Sequence, residues 1–96
     1  MTATAYAKGR RNEWRSMRLF EASGYRCIRA AGSHTEWDFV AIGPVDIVLC
    51  QVKTARNASP ADREAMALYP APANARKLIH IWMPRQREPR VVVVGA

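Results

Sequence analysis

The 96 residues suffice for one domain over 1–96, with a single core and little to spare. Hydrophobic residues make up 49% and charged ones 24%, as in an ordinary globular protein, and no apolar run approaches the roughly 20 residues that cross a bilayer, which excludes a membrane-spanning helix. Fifteen basic residues against eight acidic leave +7, and twelve of the fifteen are arginine, whose planar fork suits phosphate; nucleic acid is therefore the favoured partner, against the plainer reading of a soluble basic protein that touches an acidic one.

Met1-Thr2-Ala3-Thr4-Ala5 is followed at once by charge, so a secretory leader is not expected and an intracellular protein is. Residues 8 to 23 read as a helix closed by Gly24. At about 100° per residue, Met17 and Phe20 flank Glu13, Trp14 widens that apolar face, and Arg11, Arg15 and Arg18 lie opposite. An acid in the middle of a buried stripe calls for a partner. Strands are expected over 25–30, 37–42 and 45–53, the last two joined by a short Gly43-Pro44 turn into an antiparallel hairpin. Ser59 caps a second helix with Pro60 at its first position, running to about Tyr69. Strands at 77–83 and 90–94 flank a basic turn. The order α-β-β-β-α-β-β describes an α/β sandwich around a mixed five-stranded sheet. Cys27 and Cys50 sit in apolar runs without metal-ligand spacing, which suits small buried hydrophobes in a reducing compartment.

The chemistry-bearing residues gather in the first half. Asp38 precedes Gln51-Val52-Lys53 on the next strand, and alternation puts Gln51 and Lys53 on one face. Burying an acid, an amide and an ammonium together is costly unless they hold something. With Glu13 they supply oxygen ligands for a hard divalent cation and an ammonium for phosphate, the groups that phosphodiester hydrolysis requires. Gln51 ligates through its amide oxygen without adding negative charge.

Lys8-Gly9, Glu13, Gly24-Tyr25, Arg29-Ala30-Ala31-Gly32-Ser33, Asp38 and Gln51-Val52-Lys53 together resemble the archaeal-type Holliday junction resolvases of the PD-(D/E)XK, restriction-endonuclease-like superfamily. The likeness is close over residues 8 to 53; the later elements agree in order and length. It implies a restriction-endonuclease-like fold and Mg²⁺ or Mn²⁺, one or two ions per site. Asp38 would be the principal metal ligand and Glu13 would complete the site, with Gln51 standing where the family usually has glutamate. Lys53 would be the catalytic lysine, and Ser33 would lie at the scissile phosphate. Lys8, Arg10 and Arg29 would contact the DNA backbone. The family nicks opposing strands of four-way junctions as symmetric homodimers, without an organic cofactor or membrane. Competing readings are a related nuclease for flaps, ends or duplex, such as a phage or mobile-element enzyme, and a catalytically weak protein that binds structured DNA.

His34 lies beside Ser33, where it contacts phosphate or is simply exposed. Glu36 shares the face of Asp38 if that strand begins early, and is otherwise a solvated loop acid. His80 reads as a strand-face histidine without a role. Trp14, Trp37 and Trp82 read as core, and Arg85, Arg87 and Arg90 either grip phosphate or solvate their turn. The Val91–Val94 run is a buried strand or an edge covered by a second copy.

Overall fold

The computed structural model describes residues 4–30 and 35–95. Helix α1 (Ala5–Ala22) starts earlier than expected because the Thr4 hydroxyl caps it, accepting from the Ala7 amide at 3.1 Å. It ends as read: Gly24 takes φ +92°, a conformation that glycine adopts without a Cβ clash. Strands β1 (Arg26–Arg29), β2 (Phe39–Ile42), β3 (Ile47–Thr54), β4 (Ala75–Trp82) and β5 (Arg90–Val94) form one sheet in the order β1-β2-β3-β4-β5, with α2 (Pro60–Leu68) between β3 and β4. All neighbours are antiparallel except β3 and β4, which the α2 crossover makes parallel. This is the expected fold class and element order.

The sheet is covered on both faces. Met17 of α1 packs with Phe39, Ala41, Val48, Cys50 and Leu78, while Met66 of α2 packs with Ala58, Ile79, Ile81 and Val94. The hairpin differs from the short turn expected: Gly43 to Asp46 form its loop, the Gly43 amide donates to the Asp46 carbonyl at 2.9 Å, and Val45 is left exposed. Strand β2 starts at Phe39 because Asp38 interrupts the ladder, its own carboxylate accepting the Val52 amide at 2.7 Å.

Two expectations for α1 are corrected. Trp14 is 47% exposed rather than core, and Arg15 is half-buried, its guanidinium 3.9 Å from the Trp82 ring centroid. The buried stripe is rotated toward Asn12 and Ser16, 7% and 0% exposed, because the sheet offers them partners. Asn12 donates to the Thr54 hydroxyl at 3.0 Å, and Trp82 Nε1 donates to Ser16 Oγ at 2.8 Å. His80 also has a structural role. Its Nδ1 lies 2.9 Å from Ser16 Oγ, its ring stacks on Phe20, and burial pushes its pKa down to about 4. Trp82 is buried as expected, whereas Trp37 is only partly buried, packing against the α2-side core and edge-on to Tyr69. Both cysteines are free, with burial pushing the Cys27 thiol up to about 11 and the Cys50 thiol well above its ordinary value.

Candidate active site

The site lies where β2 and β3 part. The ladder ends with the pair Phe39↔Cys50, and one step further the Asp38 amide donates to the Cys50 carbonyl at 2.8 Å. The same register brings Asp38 opposite Gln51. The Val52 amide, freed from a main-chain partner there, donates to Asp38 Oδ2 and fixes the carboxylate. Burial is the main cause that pushes the Asp38 carboxyl above its ordinary pKa; the Val52 amide opposes this, Glu13 adds to it, and Lys53 and Arg29 pull it back. Glu13, Lys53 and Arg29 therefore all lie within electrostatic reach of Asp38.

Gln51 and Lys53 share a sheet face with Ile79 and Ile81, the face covered by α2. Gln51 Oε1 is buried and has no hydrogen-bond partner, the one such side-chain atom among the described residues. A buried acceptor without a donor from the protein costs roughly 1–3 kcal/mol, and a hard cation is one partner that an amide oxygen can take. Lys53 is 8% exposed and its Nζ lies 3.2 Å from Asp62 Oδ1. That rules out a solvated strand-end lysine.

Asp62 was invisible as a site residue in the sequence, although Ser59-Pro60-Ala61-Asp62 carries the spacing of a capping box. The Ser59 amide donates to Asp62 Oδ2 at 3.0 Å and the Asp62 amide to Ser59 Oγ at 3.0 Å, while Oδ1 faces Lys53. The Ser59 amide first, then Lys53, holds the Asp62 carboxyl below its ordinary pKa. One carboxylate thus ends α2 and anchors the lysine.

Glu13, half-buried on α1, accepts from Arg29 Nε at 3.0 Å. This accounts for the acid in the helix stripe and engages Arg29, which was expected on the DNA backbone. Glu13 holds the guanidinium in its charged form. Lys8 and Arg10 are exposed on the first turns of α1, Arg10 over the Tyr6 ring at 5.8 Å. Ser33 and His34 lie outside the described residues. Among the described residues no three His, Cys, Asp or Glu side chains gather around one point. The donors present (two carboxylates and an orphan amide oxygen) are the oxygen chemistry of a hard divalent cation and fit such an ion. No helix among the described residues is long and apolar enough to cross a membrane.

No family model matches the chain, and no curated protein is similar to it in sequence. Among solved structures it is similar to Hjc, a Holliday junction resolvase of the archaeal hyperthermophile Archaeoglobus fulgidus, with a TM-score of 0.71 and 22% identity over 90% of this chain and 72% of that one. The chain has the restriction-endonuclease-like fold of that archaeal resolvase.

Proposed function

We propose that this chain is an archaeal-type resolvase homologue, a metal-dependent endodeoxyribonuclease that cuts four-way DNA junctions as a homodimer. The orphan oxygen of Gln51 beside Asp38, in a resolvase-like fold, is the observation that carries the reading. Asp38, Gln51 and the Glu13 oxygen not engaged by Arg29 would hold Mg²⁺ or Mn²⁺. Such an ion would supply Lewis acidity toward the phosphate and acidify a water at the site. The protein's part is positional. Val52 and Arg29 fix the two carboxylates, and Asp62 fixes Lys53, whose ammonium stabilises negative charge on the scissile phosphate. Ser33 would lie at that phosphate by the resemblance, and His34, its neighbour in sequence, would lie near the DNA. The dimer uses the β5 edge, where Val91 and Val93 are 50% and 63% exposed.

The test is a panel of synthetic four-way junction, flap and linear duplex, with Mg²⁺ or Mn²⁺. Paired nicks in the junction, lost in Asp38→Ala and Lys53→Ala, are expected; cutting of flap or duplex in preference would move the substrate to a related nuclease. Gln51 itself favours a second reading, binding of structured DNA without cutting. Tight junction binding with no cleavage and no calorimetric heat for Mn²⁺ is its signature.

A further inference from the structure

On the opposite face of the sheet from Lys53, a cleft of about 220 Å³ opens between α1 and the C-terminal ends of β3 and β4. Lys8, Arg11 and Arg15 line it from one side of α1, at spacings that share a helical face, and Arg85 closes it from the β4–β5 turn. No acidic residue lines it. Arg15 is held in place by Asn12 Oδ1 at 3.1 Å and the Gln86 carbonyl at 3.0 Å, and it covers the Trp82 ring. The floor is therefore a fixed cation rather than an aromatic platform for a base. Thr54 accepts from Asn12 and keeps its own hydroxyl hydrogen to donate.

The backbone around this cleft is strained. Pro84 and Arg85 are the central residues of a turn closed by the Gln86 amide on the Met83 carbonyl at 3.3 Å, and Arg85 takes φ +65°. A proline followed by a positive φ is the type II pattern, in which glycine is preferred at the second place. Ala55, on the other rim, takes φ +58°. Non-glycine residues held in this region cost free energy and cluster at binding sites.

We propose that this cleft is a phosphate subsite that seats a second backbone phosphate of the nucleic acid, at the C-terminal ends of β3 and β4 and across the sheet from the one presented at Asp38 and Lys53. It rests on the nuclease reading, and the same two elements serve both sites: α1 gives Glu13 to one and Asn12 to the other, and β3 gives Lys53 and Thr54 to opposite faces of the sheet. Arginine forks and a hydroxyl donor suit phosphate oxygens, and the stacked Arg15 excludes a base.

Binding of a labelled four-way junction without divalent metal, followed by anisotropy over a salt series, tests it. Arg11→Gln/Arg85→Gln is expected to weaken binding about tenfold and to flatten the slope of log K against log salt by about one. The charge-matched Arg18→Gln/Arg26→Gln, on exposed residues away from the cleft, should leave the slope as in wild type. Arg85→Gly separates binding from folding: it relieves the turn and raises Tm, yet still weakens binding. Equal slopes in the two double variants, or Arg85→Gly binding like wild type, overturn the subsite while leaving cleavage intact. A wild type that shows the slope change but never cuts overturns the nuclease reading instead.

Discussion

Gln51 Oε1 is an acceptor buried without a donor, and Asp38 beside it is a carboxylate whose charge burial disfavours. Both are unfavourable for folding, and both would be relieved by a cation, as proposed for this site. Gln51→Met, which removes the unpartnered amide at similar volume, should raise stability by roughly 1 kcal/mol in denaturant titration and lower metal-dependent cleavage. Gln51→Glu adds the missing charge and should tighten Mn²⁺ binding by about tenfold or more in calorimetry. A Gln51→Glu protein no tighter than wild type would remove Gln51 from the ligand set. His80 makes a separate prediction. Its folded pKa of about 4 lies below the ordinary 6.5, so the unfolded chain binds its proton first. Stability from this group is complete above pH 6.5 and falls as pH drops toward 4, by about 3 kcal/mol in all. Asp38, pushed upward, acts in the opposite sense, so the comparison with His80→Gln isolates the histidine: the variant should lose the part of the acid-side slope that wild type shows.

At the scale of elements, α2 does more than cover the sheet. Its capping box holds Lys53, so Asp62→Asn should cost about 1 kcal/mol of stability and also lower kcat at little change in KM, whereas Ser59→Ala should cost similar stability and leave kcat near wild type. The hairpin offers a purely structural counterpart. A Cβ on Gly43 would sit 2.5 Å from Tyr25 Cε2, and Tyr25 cannot swing away because its hydroxyl donates to Asp46 at 2.6 Å and accepts from Arg76 at 3.2 Å. Gly43→Ala should therefore destabilise by about 1–3 kcal/mol without touching the site. These links mark the limit of sequence reading. Ser59-Pro60 announced its helix, and Asp38 with Gln51-Val52-Lys53 marked the candidate site, because caps and strand alternation are local signals. Asn12, Ser16 and Asp62 did not stand out, because their partners Thr54, His80, Trp82 and Lys53 lie 42, 64, 66 and 9 residues away. Hydropathy then favoured Trp14 over two polar residues that the sheet satisfies.

For the whole molecule, a charge of +7 and a bare apolar edge on β5 set the terms of assembly. Sedimentation of the wild type should show a dimer, and Val91→Lys/Val93→Lys should leave a folded monomer that loses paired nicking; a variant that stays dimeric moves the interface elsewhere, with α2 the next candidate. Metal held by Asp38 and its neighbours is what would drive DNA cleavage. The most direct test is single-turnover cleavage of a four-way junction across a Mn²⁺ series, wild type beside Asp38→Asn. Saturable, metal-dependent cutting by wild type and none by the variant is expected; equal cutting by both, or cutting without metal, would overturn the metal site.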